Sequence, residues 1–380
     1  MPSPRSATPS TPPIRMRTPG TKSHSSSASS TSSVSDRLLS TRFSLRPGNG
    51  PLMEDPTLSP VQKVAVIGAG AAGRGVARAL AEAGIDVLLV ERDSETLERR
   101  MKALREGMNR DIARWSMTES ERNATLSRIR GMAGIPDLRG VPMVFDCATE
   151  DLKEKKELLR ELDRRAPPGC LFLLNTSTLS ISTLAGSVSE ARREDFLGLH
   201  FLHPVSRIPL VELVRGRDTT DRAVELARNL AKRLGKEVLE VAEYPGYVTS
   251  RLTLTLINEA IHLVMEGVTT RDALDRAMKL RLGSTHGPLA LADEIGLDSI
   301  FRSLEALWQG LGLTQYRPAP LLRRMVNEGW LGEKTGRGFY LYDETGKRLN
   351  GKEEMIRPPL ERLLEPEGVA VGGNSTGDGQ

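Results

Sequence analysis

One segment of this chain leaves few folding alternatives: an apolar strand that enters a glycine turn and then a helix. Val64-Ala65-Val66-Ile67 leads into Gly68-Ala69-Gly70-Ala71-Ala72-Gly73. A helix of small and charged residues follows through Ala83, and a second apolar run, Val87–Val90, ends at Glu91. In such a unit Gly68 permits the tight turn, Gly70 lets the backbone approach a pyrophosphate, and Gly73 lets helix and strand pack closely. The helix N-terminus faces the anion. An acid about 20 residues further on accepts from the adenosine ribose hydroxyls, and Glu91 lies in that window. Glycine turns alone are common. Strand, glycines, helix, strand and terminal acid together predict a dinucleotide site. Glu91 favours NAD over NADP, because a carboxylate repels a 2′-phosphate. Arg92 beside it pulls the other way.

Strand and helix patterns alternate from 61 to about 242. Val141–Cys147, Cys170–Leu174, Leu199–Leu202, Leu210–Val214 and Glu237–Val241 read as strands. Asp151–Arg165 and Asp221–Leu234 read as helices, and 94–130 as two helices turning near Ser116–Ser120. This predicts an α/β fold with a Rossmann-type doubly wound, mostly parallel sheet over 61–244. After Pro245-Gly246 the pattern turns helical: 248–266, 270–281, 288–294, 298–312 and 318–329. The expectation is an all-helical C-terminal domain over 245–345. Helix 248–266 is apolar over much of its circumference, so its own domain or another subunit must bury it. A mobile tail is expected over 346–380.

Residues 1–57 are rich in Ser, Thr, Pro and Arg and too poor in apolar residues to offset ordering entropy, so a disordered tail is expected. Residues 1–50 hold seven Lys and Arg against Asp36 alone. The whole chain is +4, so the rest is slightly acidic and offers no argument for a nucleic-acid partner. The tail reads either as a plain unstructured extension or as an organelle transit peptide. The first puts the protein in the cytoplasm, the second in an organelle matrix. No apolar run approaches a membrane span. Cys147 and Cys170, the two cysteines, sit on separate strands without metal-ligand spacing, and no metal site is expected.

His200 and Glu212 stand twelve residues apart, on the strands flanking a Pro-containing turn. If those strands lie side by side, the carboxylate meets one ring nitrogen and fixes the tautomer, leaving the other to take a proton. The competing reading is a packed core histidine and a surface acid.

Several separated segments resemble the L-3-hydroxyacyl-CoA dehydrogenases: the glycine turn, Glu150-Asp151-Leu152-Lys153, Asn175-Thr176-Ser177, the His200–Glu212 stretch, Pro245-Gly246-Tyr247, and Lys334-Thr335-Gly336-Arg337-Gly338-Phe339-Tyr340. The resemblance covers roughly 61–345. It implies a homodimer formed through the helical domain and NAD as cofactor. His200 is then the general base at the C3 hydroxyl, supported by Glu212, with Ser177 on the reacting oxygen. Glu150, Lys155, Ser177, His203 and Lys334 fall at NAD-contacting positions. Arg110 and Arg114, four apart on one helix face, are the cations for an acyl-CoA substrate; Gly107 stands where the family has a serine.

The chain departs from the family at two positions. His203 replaces an Asn three residues after the base, and Ser250 replaces an active-site Asn on the first helix of the second domain. A hydroxyl reaches less far than an amide. Thr285-His286-Gly287-Pro288 also lacks the usual apolar residue before Gly-Pro. The reading is an NAD-dependent dehydrogenase of a short-chain 3-hydroxyacyl-CoA. Its alternatives are a weakly active or non-catalytic relative that binds NAD or acyl-CoA, and a dehydrogenase of a free hydroxy acid.

Overall fold

The computed structural model describes residues 61–343 and 346–349. The expected tail over 1–57 and all but four residues of that over 346–380 lie outside them. Eight strands form one sheet in the order β3-β2-β1-β4-β5-β6-β7-β8. They are β1 (Lys63–Ile67), β2 (Asp86–Glu91), β3 (Ile129–Ala133), β4 (Met143–Asp146), β5 (Leu171–Leu174), β6 (Phe196–Phe201), β7 (Leu210–Arg215) and β8 (Glu237–Val241). All neighbours run parallel except β6 and β7. Side chains alternate between the two faces. Val64 and Val66 of β1 join one core with Val87, Leu89 and Phe145. Ala65 and Ile67 join the other with Val144, Phe172 and Leu174. A sheet covered on both faces explains why these strands read as unbroken apolar runs.

Helix α1 (Ala71–Glu82) follows the glycine turn. Between β2 and β3 come α2 (Ser94–Ala113), capped by Asp93, and α3 (Glu119–Ser127), which starts in a capping box of Thr118 and Glu121. Strand β3 was not expected from the sequence. It buries Ile129 but exposes Arg130 and Ala133, and backbone pairing to β2 holds it at the sheet edge. Beyond it lie α4 (Leu152–Arg165), α5 (Ile181–Ala185), α6 (Glu190–Arg193) and α7 (Asp221–Arg233).

The helical part holds α8 (Thr249–Met265), α9 (Arg271–Leu282), α10 (Pro288–Ile295), α11 (Leu297–Leu311) and α12 (Pro320–Asn327) around their own core. Leu254, Ile257 and Ile261 of α8 point into it, while Leu252 is 70% exposed. The start of the expected mobile tail is ordered. Asp343 N–H donates to Lys347 O and Leu349 N–H to Leu341 O, so 346–349 fold back on 341–343.

Candidate active site

Every segment singled out in the first domain lies at the carboxyl ends of the strands, the end where open α/β sheets bind ligands. The glycine turn follows β1, Glu91 ends β2, Glu150 follows β4, Ser177 follows β5, and His200 sits near the end of β6.

The turn is built as glycine requires. Gly68 has φ +87° and lies against β4, so that a Cβ there would fall 2.7 Å from Ala148 Cα. A Cβ on Gly73 would fall 1.8 Å from Gly68 O, so no other residue fits under α1. Gly70 has open space in front of it. Here α1 begins at the crevice between β1 and β4, where the strand order reverses. A cleft of about 640 Å³ opens there, lined by Gly68, Gly70, Glu91, Thr96, Arg100 and Thr149. Its open glycine, helix N-terminus and acid fit a dinucleotide. Ala69 N–H donates to Glu91 Oε1 (2.8 Å) and Arg92 N–H to Oε2 (3.2 Å), so the acid also braces the turn.

The antiparallel pairing of β6 and β7 places His200 directly opposite Glu212. His200 Nδ1 lies 2.8 Å from Glu212 Oε2. Both are buried, the carboxylate completely. Glu212 takes three more hydrogen bonds from the start of α8. Val248 N–H (3.0 Å) and Thr249 N–H (2.8 Å) donate to Oε1, and the Thr249 hydroxyl (2.8 Å) donates to Oε2. Helix α8 has no capping side chain of its own, so the strand carboxylate caps it from outside. Burial pushes the Glu212 carboxyl up, but the bonds from His200 and Thr249 outweigh it and hold the group below the usual carboxylate range. An ionised Glu212 accepts from Nδ1–H, which leaves Nε2 as the basic nitrogen. Among the described residues Nε2 has no hydrogen-bond partner. The Tyr247 ring lies 5.6 Å from the imidazole, centroid to centroid.

The loop after β5 is stitched to its neighbours. Asn175 Oδ1 accepts from Phe201 N–H (2.8 Å), Thr176 Oγ1 donates to Glu150 Oε2 (2.8 Å), and Gly246 N–H donates to Ser177 O (2.8 Å). The Ser177 hydroxyl is half-buried and without a bond among the described residues. Ser250, half-buried on the first turn of α8, is in the same state. His203 stands exposed beyond β6, beside a salt bridge that joins the domains: Arg207 to Glu294 of α10 at 3.2 Å.

Other expected contacts lie differently. Lys155 is 1% exposed, and its ammonium is 2.9 Å from the Asp146 carboxylate, beneath the loop that carries Glu150. A buried lysine needs such a partner. Held in this way, it braces the Glu150 loop from beneath. Lys334 is turned to the Asp298 carboxylate of α11. Arg110 and Arg114, at the end of α2, are exposed, and their guanidiniums make no hydrogen bond or ion pair among the described residues. Burial pushes the Glu333 carboxyl of the helical domain up, and Arg207, Arg114 and Arg110 act against that rise. Sequence reasoning missed Thr249. The only signal was a hydroxyl beside Ser250 at the start of an apolar helix.

A glycine turn at the switch point of a doubly wound sheet, with a carboxylate-paired histidine near the end of a strand, fits an NAD-binding dehydrogenase. Residues 63–244 match the family model "3-hydroxyacyl-CoA dehydrogenase, NAD binding domain", and 246–342 match "3-hydroxyacyl-CoA dehydrogenase, C-terminal domain". The chain belongs to the 3-hydroxyacyl-CoA dehydrogenase family. It is 39% identical to the 3-hydroxybutyryl-CoA dehydrogenase of Bradyrhizobium diazoefficiens over 282 residues, covering 74% of this chain and 96% of that one. The crystal structure of M. tuberculosis FadB2 is similar, with a TM-score of 0.70 at 33% identity over 75% of this chain and 100% of that one. So is that of (S)-3-hydroxybutyryl-CoA dehydrogenase PaaH1 from Ralstonia eutropha, with a TM-score of 0.65 at 36% identity over the same shares.

Proposed function

We propose that the protein interconverts a short-chain 3-hydroxyacyl-CoA and its 3-keto form, with NAD as the hydride carrier. The observation that carries this reading is the buried His200–Glu212 pair at 2.8 Å, in a chain of this family. NAD, when bound, would supply the acceptor for the C3 hydride. His200 Nε2 takes the hydroxyl proton as that hydride leaves, and returns it in the reverse direction. Glu212 fixes the tautomer and stabilises the imidazolium. The Ser177 and Ser250 hydroxyls, both without a partner among the described residues, serve as donors to the developing carbonyl oxygen. The glycine turn, Glu91 and Glu150 hold the dinucleotide, with His203 and Lys334 as further contacts. Lys155 acts through the Glu150 loop. Arg110 and Arg114 meet the coenzyme A phosphates.

The working unit is a homodimer. Leu252 on α8, Val248 at its cap, Leu280 and Leu282 on α9, and Val268 between the two helices leave apolar side chains 44–77% exposed on the helical domain. A second copy would cover them. NADH oxidation with acetoacetyl-CoA, beside free acetoacetate, tests the reaction. The thioester should turn over far faster. Equal rates would indicate a free hydroxy acid, and bound NADH without turnover a non-catalytic binder.

A further inference from the structure

Trp115 is the most exposed large apolar side chain among the described residues, at 96%. It lies just past the end of α2 at φ +58°. Trp115 N–H donates to Ile112 O and Ser116 N–H to Asp111 O, both at 3.0 Å. This is the left-handed turn that closes a helix, where glycine is usual because a side chain is strained. The indole therefore strains the backbone and packs on nothing among the described residues, which do not account for it.

Its neighbours are the unpaired guanidiniums of Arg114, directly before it, and Arg110, one turn back. Asp111, beside them on α2, pairs with Arg78 of α1 at 2.5 Å, which fixes this end of the helix against α1. An exposed indole flanked by cations suits a purine nucleotide: the ring stacks and the phosphates meet the guanidiniums. The cofactor's adenosine is not that purine. Glu91, Thr96 and Arg100 line its cleft at the opposite end of α2, and a 20-residue helix is about 30 Å long.

We propose that Trp115 stacks on the adenine of the substrate's coenzyme A, a specificity contact that rests on the thioester reading above. Trp115→Gly separates binding from folding, because glycine relaxes the left-handed turn while removing the ring; the melting temperature should hold or rise. Free coenzyme A should quench the tryptophan fluorescence of the native protein but not that of Trp115→Gly, in which Trp308 and Trp330 remain. KM for acetoacetyl-CoA should rise about tenfold at unchanged kcat, with Trp115→Phe between. KM for acetoacetyl-pantetheine, which lacks the nucleotide, should not move. Coenzyme A binding to Trp115→Gly as tightly as to the native protein would overturn the proposal. So would equal KM increases for both thioesters, loss of NADH affinity instead, or a smaller oligomer. A native protein without turnover would defeat the thioester reading while the coenzyme A titration still reported on the stacking.

Discussion

Replacing Glu212 by glutamine keeps the shape and removes the charge. The carboxylate accepts four hydrogen bonds, from His200 Nδ1, Val248 N–H, Thr249 N–H and the Thr249 hydroxyl. If the amide oxygen keeps the two backbone donors, the amide NH2 faces His200. It can only donate, so Nδ1 must become an acceptor and the ring proton must move to Nε2. The ring then survives with its basic nitrogen blocked. If the amide flips, its NH2 opposes two backbone N–H groups in a buried site, at a cost of roughly 1–3 kcal/mol for each unsatisfied group. A wrong tautomer in such a pair lowers kcat by up to about 10⁴. For Glu212→Gln we expect a loss of about 10²–10⁴, roughly 3–5 kcal/mol of barrier. The acidic limb of kcat/KM for alcohol oxidation should move to lower pH, because the imidazolium loses its partner. The assay is steady-state oxidation of 3-hydroxybutyryl-CoA across pH, with NADH affinity measured alongside and expected to hold. The stability signature has a definite sign. With its pKa below the ordinary value, Glu212 stabilises the fold above the unfolded pKa, and that contribution is lost as pH falls through the lower folded pKa. The glutamine variant should lack this acid-labile part of its melting temperature. Turnover within threefold of native with an unchanged pH profile would refute the tautomer argument.

Glu91→Ser should narrow the preference for NAD over NADP, since it removes the carboxylate that repels a 2′-phosphate; kcat/KM for both cofactors checks this, and a native preference for NADP would count against the role. Ser250→Asn should raise kcat on acetoacetyl-CoA at steady NADH affinity, because an amide on the first turn of α8 reaches further; a fall would mean the serine is matched to this protein's own substrate. Burial pushes the Cys170 thiol up to about 12 and raises that of Cys147 as well. The native protein should therefore resist a thiol-specific disulfide reagent at neutral pH and release two thiols on denaturation. Rapid labelling of the folded protein would contradict their burial.

The parts legible in the sequence were those whose requirement is local. Gly73 had to be glycine because of an atom five residues away, and the same span of sequence carried strand, turn and helix together. His200 and Glu212 were legible as a pair because a short connection between two strands left antiparallel pairing as the way to bring them side by side. Strand β3 was hidden because its side chains do not alternate cleanly, and its backbone bonds to β2 leave no mark on composition. Thr249 was hidden for a different reason. Its hydroxyl matters only once α8 arrives behind β7, a contact between segments 37 residues apart. Lys155 shows the converse. The resemblance sets this lysine among the NAD-contacting positions, and nothing in the sequence shows that the packing of α4 against β4 turns it inward onto Asp146.

The most direct test of the central claim is His200→Asn, which keeps a polar side chain but removes the imidazole base. Acetoacetyl-CoA reduction and 3-hydroxybutyryl-CoA oxidation would be followed by NADH absorbance, and NADH binding by its fluorescence. The account predicts a fall in kcat of about 10²–10⁴ in both directions with NADH affinity nearly unchanged. Near-native turnover by His200→Asn on a substrate that the native protein processes would contradict it.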